Sequence, residues 1–340
     1  MNENKKLPTY CCIALLESCF MRCKMCFKWH NSVEYRDPRE PSITQWKAFI
    51  TDLGQMCLAK KPRINFAGGE PLLRKETIEL ISWAREQGFE TLLATNAYLL
   101  DDLMAEDLAK AGLNQITISL DSANPKTHDF LRGKPGSFDK VAAAIASLAK
   151  YAPRIIIDIT TTISGYNIKD AVEVALWANK DKRIHGIGYQ AITQPFNTEF
   201  DDKWYEKPEY AFLWPNDQDC VRQTMCQLAK LKNSSDLRAD FVLENPEDQF
   251  AVFSKYFSQP NDFIKQNHCH LDLRALNITP TGDVHICFDK QAIGNIKSNR
   301  ISELWFSQSA EQARAEIKLC RKNCQSLVNC NFNESEEYVK

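Results

Sequence analysis

The sequence predicts an α/β fold, with a parallel sheet covered by helices. Two observations carry this. Six short apolar, β-branched runs alternate with amphipathic stretches of helical period up to residue 194. Turn residues punctuate nearly every junction between them. In order, "YCCIALL" (10–16) reads as a buried strand leading into a cysteine-rich loop. Ser42 with Gln45 makes a capping box, so a helix is expected through about Met56. "RINFAGGEP" is a strand running into a glycine turn, and "KETIELISWAREQG" a helix closed by Gly88. "ETLLATNA" is a strand, "DDLMAEDLAKAG" a helix ending at Gly112, and "QITISLDS" a strand. "SFDKVAAAIASLAKY" is a helix with Ser137 as its expected cap; "RIIIDITTTIS", "IKDAVEVALWANK" and "IHGIGYQAI" follow as strand, helix and strand. Functional residues in such folds gather at strand C-termini. The cysteine loop, the "GGEP" turn, Thr95–Asn96 and Ser119–Asp121 are therefore expected on one face.

Composition narrows the function. The chain has 340 residues, 44% apolar and 25% charged, as in ordinary globular proteins. A net charge of -2 points to neither a nucleic-acid nor a membrane partner. No apolar run reaches the length of a membrane span, and "MNENKKLPTY" lacks the long apolar stretch of a secretory signal, so the expected location is the cytosol. Thirteen cysteines are many for that compartment, where clustered thiols indicate metal rather than disulfides. One group is Cys19, Cys23 and Cys26; another is Cys269, Cys287, Cys320, Cys324 and Cys330. Cys11, Cys12, Cys57, Cys220 and Cys226 are scattered and read as small buried hydrophobes.

Three readings fit the first group. The i, i+4, i+7 spacing would align the thiols on a helix face as a buried stripe, although Arg22, Lys24 and Lys28 make a poor helix core. His30 would complete a zinc site of three thiolates and one imidazole. Three thiolates would also hold a cubane iron–sulfur cluster, leaving one iron open to a small molecule.

The loop Cys19-FMR-Cys23-KM-Cys26 after the first strand resembles the C-x3-C-x2-C loop of the radical S-adenosylmethionine (radical SAM) superfamily. The resemblance implies a partial (β/α)6 TIM-like barrel whose 4Fe-4S cluster reductively cleaves S-adenosylmethionine to a 5'-deoxyadenosyl radical, which takes a hydrogen atom from a substrate. It extends to Gly68-Gly69-Glu70-Pro71 after the second strand, where glycines let backbone approach a ligand and Glu70 is expected to accept the methionine ammonium. Thr95-Asn96 matches the end of the third strand, although Ala97 stands where a glycine often follows. Ser119 and Asp121 match polar positions near the ribose, and Arg132 in "FLRG" matches an arginine expected to reach the cofactor carboxylate. Met25 replaces a frequent aromatic residue and is expected to keep an apolar contact to adenine. Asn167 reads as a turn asparagine.

The second group, C-x12-G-x4-C from Cys269 to Cys287 and then Cys320-RKN-Cys324-QSLVN-Cys330, resembles the SPASM/twitch extension of that superfamily. "LNITPTGDVHIC" reads independently as a hairpin. The resemblance implies a small C-terminal β-hairpin-plus-helix iron–sulfur domain with one auxiliary 4Fe-4S cluster, held by four of these five cysteines, Cys269 and Cys287 foremost. His268, His270 and His285 read as surface or supporting donors, and a structural zinc site is the competing reading.

The expected organisation is a radical SAM core at 1–195, an aromatic and acidic connecting segment at 196–268 that covers substrate or bridges the core, and the auxiliary domain at 269–340. Expected partners are S-adenosylmethionine, an electron donor such as flavodoxin or ferredoxin, and a peptide, protein or small-molecule substrate. Strand one starts near residue 10, with no leader-binding domain visible before it. Tyr189, Gln190 and acidic residues of the connecting segment are candidate proton shuttles. The alternative is a zinc-stabilised binding protein that keeps the fold without radical chemistry.

Overall fold

A computed structural model describes residues 7–30, 36–262, 264 and 269–329. The core alternates β1 (Tyr10–Ala14), α1 (Ile43–Met56), β2 (Arg63–Ala67), α2 (Glu76–Glu86), β3 (Thr91–Thr95), α3 (Asp102–Lys110), β4 (Gln115–Ser119), α4 (Pro125–Arg132), α5 (Ser137–Tyr151), β5 (Ile156–Ile163), α6 (Ala171–Lys180) and β6 (Gly186–Ala191). All six expected strands are present. Then come α7 (Gln218–Lys232), β7 (Val242–Leu243), α8 (Glu247–Ser258), β8 (Ala275–Ile278), β9 (Asp283–His285), β10 (Gly294–Asn295), α9 (Ile301–Leu304), α10 (Gln308–Leu319) and α11 (Gln325–Asn329).

The strands form one ten-stranded sheet in the order β10-β9-β8-β1-β2-β3-β4-β5-β6-β7, and the described strands do not close into a ring. From β8 to β7 every pairing is parallel; β8, β9 and β10 pair antiparallel. The expected hairpin is β8–β9, and it joins the core directly, with Cys12 of β1 beside Asn277 of β8.

Period-2 alternation orients the strands. Ile13, Ile64, Phe66, Leu93, Ile116, Ile118 and Ile159 are fully buried. Each such side chain stabilises the fold by about 1.5–3 kcal/mol. The intervening Cys12, Asn65, Ala94, Thr117, Thr160 and Gln190 are half-exposed, giving the other face of the sheet an open and largely polar lining.

Helix ends show where local chemistry was readable. The Ser42–Gln45 capping box is present, with Ser42 N–H donating to Gln45 Oε1 at 2.8 Å. Gly88 and Gly112 take positive φ just after α2 and α3. Ser137 is not a cap: Gly136 holds that position, and the Ser137 hydroxyl donates to Asp129 Oδ1 at 2.8 Å. The "FLRG" segment is the end of α4, capped by Asn124, begun by Pro125 and stopped by Gly133 at φ 62°. No helix among the described residues is long and apolar enough to cross a membrane.

Candidate active site at the strand ends

The three cysteines lie in an irregular loop after β1, so the buried helical stripe is excluded. Between Phe20 and Met25 burial alternates along the loop, which ends in a turn closed by Cys26 N–H donating to Cys23 O at 3.2 Å. Met21, Cys23 and Met25 are buried, and Phe20, Arg22 and Lys24 are turned outward. Met25 therefore packs with the hydrophobic core.

The GGE turn supports this loop. Gly69 N–H donates to Leu16 O at 2.7 Å and Glu70 N–H to Ser18 O at 3.0 Å. A Cβ on Gly69 would stand 1.9 Å from Ser18 O, and one on Gly68 2.6 Å from Leu16 O. The glycines were expected to admit a ligand; what they admit in this structure is the backbone of the cysteine loop. Pro71 starts the short helical turn that follows, which Glu70 caps by accepting from Leu72 N–H at 3.1 Å.

Glu70 is only 1% exposed. Besides Leu72 N–H, its carboxylate accepts from Thr95 Oγ1 at 2.7 Å and Asn96 N–H at 2.9 Å. Burial pushes this carboxyl up to about 7, against the pull of those donors. Glu70 was expected to receive an ammonium; its oxygens tie the end of β3 to the turn after β2, and its N–H ties that turn to Ser18 O of the cysteine loop. Asn96 Nδ2 lies 3.9 Å from Cys19 Sγ. Ala97, at φ 59°, holds the left-handed conformation that a glycine would take without strain.

Arg132 and Asp121, both expected near the cofactor, pair with each other. Arg132 Nε lies 2.7 Å from Asp121 Oδ2 and Nη2 donates to Oδ1 at 2.9 Å. Asp121 is fully buried and also accepts from Thr162 N–H at 3.1 Å. A buried carboxylate requires a partner, and the guanidinium fork supplies it. Asn167 closes the same wall, donating to Asp121 O at 2.6 Å and Thr162 O at 2.9 Å, as a turn asparagine. Ser119, at the end of β4, remains half-exposed.

Burial pushes the Cys19 thiol up to about 12 and the Cys23 thiol up to about 11, and it raises Cys26 as well. Cys23 and Cys26 raise Cys19 further, whereas Arg132 favours the Cys23 thiolate and Lys28 that of Cys26. This donor set fits an iron–sulfur cluster, whose irons would take up three thiolates that burial alone disfavours. Among the described residues no three His, Cys, Asp or Glu side chains converge on a single ion. A cubane does not require that, since each thiolate sits on its own iron. The His30 side chain lies outside the described set.

The C-terminal thiols also gather. Burial pushes Cys287 up to about 12 and Cys324 up to about 11; Cys269 raises both, and Cys324 raises Cys287. Cys320 caps the end of α10. Cys330, His268 and the His270 side chain lie outside the described residues. His285 Nδ1 lies 3.0 Å from Lys290 O. Of the scattered cysteines, Cys11 and Cys57 are buried as expected, Cys12 and Cys220 are half-exposed, and Cys226 is exposed on α7.

The connecting segment serves two purposes. Trp204 and Trp214 are buried and pack with Tyr205, Tyr256 and Phe257 as bridging core. Phe196 instead runs beside the cysteine loop, bridging to Cys26 and accepting from Phe27 N–H at 3.1 Å. Tyr189 is unsuited to shuttle protons: it is buried, its hydroxyl donates to Ala171 O at 2.7 Å, and burial raises its pKa far above the ordinary value. Gln190 stays half-exposed, accepting from Gln325 Nε2 at 3.1 Å. Sequence reasoning missed Lys28–Glu17, a partly buried ion pair at 2.8 Å beside Cys26.

Residues 13–178 match the family model described as "Radical SAM superfamily", and residues 269–331 match "SPASM: Iron-sulfur cluster-binding domain". Fe-coproporphyrin III synthase of Methanosarcina barkeri is 33% identical over 152 residues, covering 45% of this chain and 36% of that relative. The chain thus spans well under half of that relative's length. PqqA peptide cyclase of Rhizobium meliloti is 24% identical over 331 residues, covering 93% of this chain and 79% of the relative. The structure of Streptococcus suis SuiB bound to precursor peptide SuiA superposes with a TM-score of 0.68 at 15% identity, covering 95% of this chain and 71% of SuiB. At that identity the likeness is one of fold.

Proposed function

The chain belongs to the radical SAM superfamily and carries a SPASM iron–sulfur domain, and from that premise we propose that it abstracts a hydrogen atom from a peptide substrate. Its cofactors are S-adenosylmethionine and 4Fe-4S clusters. The observation that carries the proposal is the gathering of Cys19, Cys23 and Cys26 in a loop fastened to the GGE turn at the strand ends. Cys19, Cys23 and Cys26 would hold a 4Fe-4S cluster there, and that group would supply the one-electron chemistry on S-adenosylmethionine.

The chain's own residues bind and orient. Cys19, Cys23 and Cys26 hold the first cluster. Glu70 and Asn96 keep the loop against β3, and Asn96 and the half-exposed Ser119, with Gly68, Gly69 and Pro71 of the turn, would line the cofactor site. Thr95 steadies Glu70, while Asp121 and Arg132 act through the wall behind Cys23. Met25 offers apolar surface. Cys269, Cys287 and Cys324, with Cys320 or Cys330, hold an auxiliary cluster that accepts an electron or positions substrate.

A peptide is favoured because PqqA peptide cyclase aligns along both the core and the C-terminal domain, whereas the porphyrin enzyme aligns along less than half of the chain. The electron donor is a flavodoxin or ferredoxin, and the proposed compartment is the cytoplasm. The test is anaerobic reconstitution, then dithionite and S-adenosylmethionine, reading iron per chain and 5'-deoxyadenosine. About eight irons with deoxyadenosine support the reading. Zinc in place of iron, with no deoxyadenosine, overturns it in favour of a metal-stapled binding protein.

A further inference from the structure

The outward row of the cysteine loop is not used by the site. Arg22 is exposed and Lys24 half-exposed, and their backbone N–H groups donate to Arg132 O at 3.2 Å and Leu131 O at 2.8 Å. This pins the row against the end of α4. Lys134, just past that helix, stands over the rings of Phe20 at 5.6 Å and Tyr98 at 4.7 Å. Lys140 stands over Tyr98 at 5.4 Å, and Lys24 over the exposed Phe130 ring at 5.2 Å.

Four cations thus lie on the outer side of the loop whose inner side carries Cys23. None of the four has a carboxylate partner among the described residues. Lys28, on the same loop but turned inward, is paired with Glu17 at 2.8 Å. Asp129, the α4 carboxylate nearby, is already taken up by Gly136 N–H, Ser137 Oγ and Phe138 N–H. The chain as a whole carries -2, so the patch does not reflect an excess of cations. Stacking on aromatic faces orders these side chains without neutralising them. Unneutralised cations beside the exposed Phe130 ring and the half-buried Phe20 and Tyr98 rings complement a partner that is acidic with an apolar centre.

We propose that Arg22, Lys24, Lys134 and Lys140 form the docking surface for an acidic one-electron carrier protein. This rests on the reading that Cys19, Cys23 and Cys26 hold the cluster. The carrier is oxidised by one electron and this protein is reduced by one; no proton or group moves between them. Arg22 and Lys24 flank Cys23 in the sequence of the loop.

The test uses the reconstituted full chain with oxidised flavodoxin as the binding probe, following flavin fluorescence from 25 to 200 mM salt at roughly the range where surface charges are screened. The variants are Lys134→Glu and Lys140→Glu, singly and together. The wild type is expected to bind with an affinity that falls as salt rises. The double variant is expected to bind at least tenfold more weakly at low salt, with a flatter salt dependence. Its dithionite-driven deoxyadenosine formation is expected to be unchanged, and its flavodoxin-driven rate to fall. Absence of wild-type binding, equal affinity of the double variant, or displacement of flavodoxin by a short RNA at equal charge concentration would overturn the proposal. Loss of deoxyadenosine even with dithionite in the wild type would instead overturn the cluster reading on which it rests.

Discussion

Arg132 grips Asp121 with two contacts, at 2.7 and 2.9 Å, behind the wall that carries Cys23. The pair joins the end of β4 to the end of α4, and α4 in turn holds the cysteine loop through Leu131 O and Arg132 O. Removing one partner leaves a buried charge unpaired. Arg132→Met is expected to lose about 3–5 kcal/mol of stability, and the double variant Asp121→Asn with Arg132→Met to recover most of it. Denaturant unfolding of the three proteins checks this, and equal stability of the two variants would refute it.

Gly69→Ala places a methyl group 1.9 Å from Ser18 O, so the backbone next to Cys19 must move. Overpacking of this kind costs about 1–3 kcal/mol. Iron content after reconstitution is expected to fall toward that of the Cys19→Ala, Cys23→Ala, Cys26→Ala variant. Full iron in Gly69→Ala would show that the close approach is dispensable.

His128 gives a pH signature. Burial, then the Arg132 charge, lower its pKa from 6.5 to about 4, and its Nδ1 accepts from Asp121 N–H at 3.1 Å. The folded chain therefore holds the ring neutral where the unfolded chain protonates it. This contribution is complete above pH 6.5 and is lost as pH falls from 6.5 toward about 4. The change amounts to about 3 kcal/mol. His128→Asn keeps an acceptor and cannot charge, so its stability is expected to fall less steeply over that window. Parallel unfolding midpoints from pH 4 to 7 would count against it.

Much of this was legible in the sequence. The six core strands announced themselves through β-branched runs, and the cysteine loop through its spacing after the first of them. The two bonds of the Ser42–Gln45 capping box formed as local chemistry required. What local pattern did not show depended on distant partners. Asp121 and Arg132 each carried a polar signal, but only the packing of α4 beside β4 shows that they meet. α4 itself carried readable marks, Asn124 before Pro125 and Gly133 after Arg132, yet its apolar pattern was too short to stand out. The parallel pairing of β8 with β1 links positions too far apart for any local pattern to indicate. Glu70 was placed correctly beside the loop; its inward turn depends on donors from β3.

The second cysteine group makes a separable prediction. Cys269 lies close enough to raise the pKa of both Cys287 and Cys324, and Cys324 that of Cys287, whereas Cys226 is exposed on α7. Cys287→Ser and Cys324→Ser are each expected to lose about four irons per chain, and Cys226→Ser none. Iron and sulfide analysis decides this, and retention of all iron in Cys287→Ser would remove the auxiliary cluster from the account.

The central claim is that Cys19, Cys23 and Cys26 hold a cluster with one iron open to S-adenosylmethionine. The measurement that tests it most directly is the electron paramagnetic resonance spectrum of dithionite-reduced protein, before and after adding S-adenosylmethionine. It is made on a Cys269→Ala, Cys287→Ala variant so that only the first cluster contributes. The account predicts a cluster signal whose g-values shift on addition, and loss of that signal when Cys23 is also replaced. A signal that S-adenosylmethionine leaves unchanged, or one that survives replacement of Cys23, would contradict it.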